Sequence, residues 1–398
     1  MRRTLIIASI VIVLLGIGVL VYFYFFSKPK IVEVAPSGGS SLPIAGQGTL
    51  IPTEAPTTTP GGSVQPISAR LVKITPGPVV PGVVVTDAKP VDASSSPEVS
   101  VGYIDQQSGN VFSYQVGAMV LTRTSNKTIP GIEEASWLPD ASVAFVRYLS
   151  GSDFSTINTY ALPSNGSDGS FLSQNLAQIS VSSTSILTLA SGVNGSVASL
   201  KHTDGGTIST AFTTPLSAVR VSFAGKNQYV AFTKPSATLG GSAFIVDSTG
   251  HFSRIAGPLN GLVALASPSG KWVLISFTSD DAIHMNLVNT STGEDMPLPV
   301  ATIADKCVWT SDDSAIYCGI PQNPTPGLNY PDDWYQGAVA FSDRIWKIQV
   351  VGRYAQLVLD FPTETKDSLD AEALAVDPSN NVLVFVNKND GSLWSYRL

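Results

Sequence analysis

One short hairpin recurs along this chain: an apolar strand, a polar turn, then a second apolar strand. It is seen in "ASWLPDASVAFV", "VSFAGKNQYVAF", "LASPSGKWVLIS", "VWTSDDSAIYCG" and "LAVDPSNNVLVF". With the turns taken at Asp140, Lys226, Gly270, Asp313 and Asn380, the spacings are 86, 44, 43 and 67 residues. The first is twice 43, which places a fainter copy near residue 183, at "QISVSSTSILTL". One step further back lands near Pro97, at "SSSPEVSVGYI". After Pro66 no stretch holds a helical period; runs of Val, Ile, Thr, Phe and Tyr alternate with Gly, Asn, Asp, Ser and Pro turns. The expectation is an all-β domain of seven repeated units, each of about 43 residues and about four strands, the length of a propeller blade.

The turn residues sharpen that expectation. "SWLPDASVAF", "ASPSGKWVLI" and "VWTSDDSAIY" resemble the TolB-like and WD40-like β-propeller repeats, in which a Trp-Ser-Pro-Asp-Gly turn leads into an apolar second strand. The copies are degenerate, and the Gly-His and Trp-Asp dipeptides of WD40 repeats are absent. "VDSTGHFSRI" and "VNTSTGEDMPL" resemble the hairpin expected later in the unit. The resemblance covers residues 67–398 and implies a seven-bladed β-propeller with protein partners; it speaks to architecture far more than to function. Beyond Asn380 only two further strands remain, "VLVFVNK" and "SLWSYRL", so the last blade lacks its outer strand. The N-terminal "ARLVKIT" (Ala69–Thr75) is expected to supply it, closing the ring and removing a free sheet edge.

Ahead of the repeats, Thr4 to Phe26 runs for 23 residues without a charge, long enough to cross a bilayer as a helix. It ends in "YFYFFSKPK", with rings and lysines suited to a membrane interface rather than to a cleavage site. Residues 1–26 are therefore expected to be an uncleaved single-pass anchor, and the Pro-, Gly-, Ser- and Thr-rich residues 27–66 a linker. Residues 67–398 would then lie outside the cytoplasm, in the periplasm or at the cell surface. Every acidic residue lies beyond position 30, so this exported part carries 19 Lys and Arg against 30 Asp and Glu, a net charge of -11. Nucleic acid and anionic lipid surfaces are poor partners for such a domain. An envelope protein or a glycan, bound by a monomeric propeller, is the expected partner.

The interval between the last two turns exceeds the repeat by 24 residues, an excess centred on "PQNPTPGLNYPDDWYQG" (Pro321–Gly337). Loops on a rigid scaffold are where binding residues tend to sit. Tyr330, Trp334 and Tyr335 offer stacking faces beside the acceptors Asp332 and Asp333, a set suited to a sugar, a cationic peptide or a protein. The competing arrangement folds Trp334 and Tyr335 back as a plug, with the aspartates capping turns.

Cys307 and Cys318 flank the Asp312–Asp313 turn symmetrically and would face each other across a hairpin in simple register, within reach of a disulfide; two small buried residues are the alternative. His202, His251 and His284 fall in different repeats with no second ligand at metal spacing. There is no His-Glu-x-x-His, no Gly-x-Ser-x-Gly and no phosphate-cradling Gly-Lys-Ser/Thr loop. No cofactor or metal is expected. These readings point to a non-catalytic binding or scaffold module of the cell envelope, with a surface enzyme acting on glycans or peptides through loop carboxylates as the alternative.

Overall fold

The computed structural model of the chain describes residues 66–88, 98–203 and 208–398. The expected anchor, nearly all of the expected linker and the turn near Pro97 lie outside the described residues. Among those described, no helix is long and apolar enough to cross a membrane.

A short strand, β1 (Leu71–Lys73), comes first. Strands β2 (Val84–Ala88), β3 (Glu98–Ile104), β4 (Val111–Gln115) and β5 (Val120–Ser125) then pair in chain order as an antiparallel four-stranded sheet. The same meander is built by β6 (Ile132–Trp137), β7 (Val143–Ser150), β8 (Thr156–Pro163) and β9 (Ser170–Phe171). It recurs in β10 (Leu176–Val181), β11 (Ser185–Gly192), β12 (Gly195–His202) and β13 (Ser209–Thr214). A seven-stranded sheet follows, of β14 (Val219–Phe223), β15 (Tyr229–Thr233), β16 (Gly241–Val246), β17 (Phe252–Ala266), β18 (Trp272–Ser279), β19 (Ala282–Asn289) and β20 (Asp295–Pro297). Its long β17 pairs with β16 through Phe252–Leu259 and with β18 through Asn260–Ala266, so one strand serves two meanders.

A 3-10 turn (Ala304–Lys306) leads into the sheet of β21 (Cys307–Trp309), β22 (Ala315–Pro321), β23 (Asp343–Gln349) and β24 (Ala355–Asp360). Two four-residue helices, α1 (Asp332–Tyr335) and α2 (Phe361–Glu364), sit in connections. The last three strands are β25 (Ala371–Val376), β26 (Val382–Asn387) and β27 (Leu393–Arg397). Their sheet takes β1 as its fourth strand, with Leu71 opposite Tyr396 and Lys73 opposite Trp394.

The recurring hairpin joins the first two strands of these meanders, and its turn chemistry repeats. Leu138 N–H donates to the Val143 carbonyl and Ala141 N–H to that of Leu138. The same two bonds recur at Ser267–Trp272, Thr310–Ala315 and Asp377–Val382. In each, the fourth residue is left-handed: Ala141, Gly270, Asp313 and Asn380, with φ between 59° and 76°. Gly270 also packs so close to Ala224 O that a Cβ would stand 2.3 Å from it. The turn from Ala224 to Gln228 is one residue shorter, and the faint copy near 183 is a tighter turn closed by Ser182 N–H and Ser185 O. That shortening is why its motif is hard to see in sequence.

Adjacent meanders pack face to face, and their first strands meet. β6 approaches β10, β10 approaches β14, β14 approaches β17, β21 approaches β25, and β25 approaches β2. The tryptophan before the turn reaches back to the preceding meander: Trp137 Nε1 donates to Gly82 O at 3.1 Å and Trp309 Nε1 to Leu265 O at 3.2 Å. The apolar core is consequently a series of sheet-on-sheet layers. One of them joins the last sheet to the first, with Val382, Val384 and Val386 against Val99, Val101 and Tyr114. Leu71, fully buried in β1, is packed with Leu383, Phe385 and Trp394. Leu71→Ala is expected to cost about 2–5 kcal/mol, read as a fall in the urea midpoint with an unchanged m value.

Candidate functional site

The connection from β22 to β23 spans residues 322–342, and its aromatic side chains set its course. Tyr330, Trp334 and Phe341 are buried and join the large apolar cluster that contains Met285, Ile303 and Ile316. Tyr330 OH donates to Thr325 O at 3.1 Å, closing the loop on itself. Asp333 accepts from Asn329 N–H at 2.8 Å, ahead of α1. Asp332 accepts from Ala237 N–H at 3.0 Å, which ties the connection to the loop between β15 and β16. Gly261 lies beneath it with φ +63°, where a Cβ would stand 2.7 Å from Tyr330 O. The insertion thus reaches from its own sheet to the neighbouring seven-stranded one.

Burial decides the role of the expected binding residues. Tyr330 and Trp334 are 3% and 4% exposed and offer no stacking face, so the reading of them as a sugar- or protein-binding surface is corrected. Asp332 and Asp333 spend carboxylate oxygens on backbone N–H groups. Tyr335 alone of the three expected rings is substantially open, at 37% exposure. The difference is helical: consecutive residues of α1 point about 100° apart, so one ring enters the core while its neighbour leaves it.

Beneath Trp334 lies a buried ionic group that the sequence did not disclose. Lys306, Asp343 and Asp370 are all fully buried. Lys306 Nζ contacts Asp343 Oδ2 at 2.8 Å, pairs with Asp370 Oδ1 and donates to Ala371 O at 2.9 Å, which uses its three protons. Asp370 Oδ2 also accepts from Trp334 Nε1 at 3.0 Å and from Phe341 N–H at 2.9 Å, so it grips the insertion at two points. The ammonium sits 4.9 Å from the Trp334 ring centroid and 5.1 Å from that of Phe341. Asp343 Oδ2 accepts from Ala371 N–H at 2.7 Å, while its Oδ1 is buried without a partner. Burial pushes the Asp343 carboxyl up to about 6, against the attraction of Lys306 and with the repulsion of Asp370 added.

Next along the chain from both Lys306 and Trp334 is a second, partly exposed group. Arg220, on β14, makes a two-pronged ion pair with Asp305, at 2.6 and 3.1 Å. Tyr335 OH donates to Asp305 Oδ2 at 2.6 Å, and an Arg220 amino group lies 3.3 Å from the same phenol oxygen. The side chains of Arg220 and Asp305 are 32% and 24% exposed. Withdrawal from water and the Asp305 charge hold the Tyr335 phenol well above its ordinary value. Burial works against the Arg220 charge, but Asp305 and Tyr335 more than offset it, and its pKa stands above the ordinary value. A cation, a carboxylate and a protonated phenol therefore converge from three separate segments.

Cys307 and Cys318 are register partners on β21 and β22 and are joined by a disulfide. Among the described residues no three His, Cys, Asp or Glu side chains lie together as a metal site. An open apolar groove of about 620 Å³ at the β11–β12 tip is lined by Val193, Val197 and Pro215 and by no ionisable group.

No protein-family model and no curated protein sequence matches the chain. Solved structures do. An oligogalacturonate lyase in complex with manganese superposes with a TM-score of 0.55 at 9% identity, over 84% of this chain and 95% of the other. An oligogalacturonate lyase from Vibrio parahaemolyticus gives 0.54 at 10%, over 82% and 93%. Hydrazine synthase from Kuenenia stuttgartiensis gives 0.50 at 13%, over 80% and 96%.

The fold is of the β-propeller type. The expectation of a non-catalytic binding or scaffold module, and of no enzyme, is corrected by the same comparison, since the propellers on which this chain superposes are enzymes. The manganese is that lyase's own. Lys306→Met, which leaves two buried carboxylates without their cation, is expected to cost about 3–5 kcal/mol in urea unfolding at neutral pH.

Proposed function

We propose that this chain is a propeller enzyme that cleaves glycosidic bonds, with Arg220, Asp305 and Tyr335 as its site. The observation that carries the reading is the convergence of these three side chains at a partly exposed position, on a fold whose structural neighbours include enzymes acting on oligosaccharides. Tyr335, held protonated, donates its proton to the leaving oxygen as the glycosidic bond breaks, and Arg220 beside the phenol oxygen stabilises the resulting phenolate; water adds to the freed anomeric carbon and gives its proton back to that phenolate. Asp305 orients both. Asp332 and Asp333, the loop carboxylates first expected to act, each hold a backbone N–H instead.

The substrate is a neutral glycan on this reading. Asp305 already neutralises Arg220, and 30 acidic residues against 23 basic ones repel a polyanion.

The same proposal includes the finer architecture. Seven blades are supported by the meanders with β17 counted in two, and a ring by first-strand contacts at five junctions, shared apolar clusters at the other two and the β1–β27 pairing. Anchoring through residues 1–26 and a linker over residues 27–66 rest on the uncharged span and the composition after it. An extracytoplasmic location of residues 67–398 gains support from the disulfide, which persists in oxidising compartments.

The test is release of reducing ends by the full chain from a panel of neutral oligosaccharides, with oligogalacturonate for comparison. Tyr335→Phe and Asp305→Asn are expected to lower turnover at least about 100-fold with the melting temperature nearly unchanged. No turnover of any glycan, or cleavage undiminished in both variants, would overturn the proposal.

A further inference from the structure

The buried group under Trp334 carries one more negative charge than positive, and its surroundings do not supply the missing cation. Lys388, which follows β26, brings a second ammonium to 4.6 Å from the Trp334 ring, but it pairs with Glu372 on β25 at 3.4 Å, so the two together add no net charge. Arg344, next to Asp343 on β23, pairs with Asp360 at the end of β24 at 3.1 Å. Within the insertion, Asp332 and Asp333 are held by backbone N–H groups. Strand β22 faces Asp343 with Pro321 in register and Gly319 close by, neither of which is charged. Lys306 has no proton left to offer, because its three go to Asp343, Asp370 and Ala371 O.

The two carboxylates are not equivalent. Both oxygens of Asp370 accept hydrogen bonds, from Lys306 and Trp334 on one and from Trp334 and Phe341 on the other. Asp343 has one satisfied oxygen and one buried Oδ1 with no partner. A proton on that Oδ1 makes the group neutral without breaking any bond it now makes. Its loss leaves two buried carboxylates competing for a single ammonium, and one of them, Asp370, is the group that grips Trp334 and Phe341.

We infer that Lys306, Asp343 and Asp370 form a proton-operated catch for the insertion, seated when Asp343 carries its proton and loosened when it does not. The catch stands independently of the glycan reading; its control of the site rests on that reading, because Tyr335 rides on the insertion next to Trp334. A proton held more tightly in the seated form favours that form at low pH. The advantage is lost as pH rises from the ordinary carboxylate value of 3.8 to about 6. The insertion is therefore most firmly held below the ordinary carboxylate value of 3.8, loosens through mildly acidic pH, and above about 6 stays at its loosest.

The decisive measurement is amide hydrogen exchange in residues 328–341 of the full chain, without any glycan, between about pH 4 and pH 6.5 and corrected for intrinsic rates. Opening of this segment is expected to become at least about tenfold more frequent across that range, one pKa unit being a factor of ten. Asp343→Asn, which is neutral at every pH, is expected to show a flat profile. A flat wild-type profile overturns the catch, and so does an Asp343→Asn profile as steep as the wild type; the wild-type result decides alone if the variant does not fold. Because exchange reads the insertion directly, failure to find a glycan substrate leaves this outcome untouched.

Discussion

A four-stranded meander has two apolar faces, and neither can be left in water. The constraint is met here only because every meander has a neighbour on each side, including the first and the last. Val382, Val384 and Val386 of β26 cover Val99 and Val101 of β3, so the two ends of the described chain bury each other. The β1–β27 pairing secures that junction from the outside, with Arg70 Nε donating to Arg397 O at 2.7 Å and its guanidinium 4.6 Å from the Tyr396 ring. Everything at the candidate site depends on this arrangement, because the residues involved come from different sheets and meet only when the sheets are stacked.

That dependence explains what could be read in the sequence and what could not. The repeat was legible because each hairpin turn is a local matter. A left-handed turn position favours Gly, Asn or Asp, and Gly270, Asp313 and Asn380 supply them, the first two one repeat apart. The insertion was legible as an excess over the repeat, and its aromatic content as an anomaly. The buried ionic group was not, since Lys306, Asp343 and Asp370 are ordinary residues with no shared motif, brought together by the turn before β21, the start of β23 and the approach to β25. Arg220 and Asp305 are likewise separated by 85 positions. A charged residue within an apolar run, as in "IADKCVW", was the only available signal, and it does not name a partner.

For a related reason the sequence could not choose between the binding and the plug arrangements of the insertion's rings, and burial puts Tyr330 and Trp334 with the second. Composition cannot tell a ring that binds from a ring that anchors, because both are large and apolar with a polar edge. What separates them is whether a partner for the polar edge lies inside the fold. Trp334 Nε1 finds Asp370 and Tyr330 OH finds a carbonyl in its own loop, so both rings can be buried at little cost. Tyr335 finds Asp305 instead, at a boundary where water still reaches.

An apolar plug would hold the insertion down about as well as an ion group, since buried ion pairs seldom stabilise more than the packing they replace. What the ionic seat adds is register. Asp370 accepts from both Trp334 Nε1 and Phe341 N–H, which fixes where the indole lies and how the chain leaves it; apolar contacts alone would tolerate a range of positions. Lys306 and Trp334 each have a sequence neighbour in the exposed group, Asp305 and Tyr335. Fixing the buried pair therefore fixes the outer pair at hydrogen-bonding distance. The geometry of the open group is thus inherited from the closed one beneath it, and an alteration in the charge of the seat is transmitted to the phenol through a single peptide bond on each side.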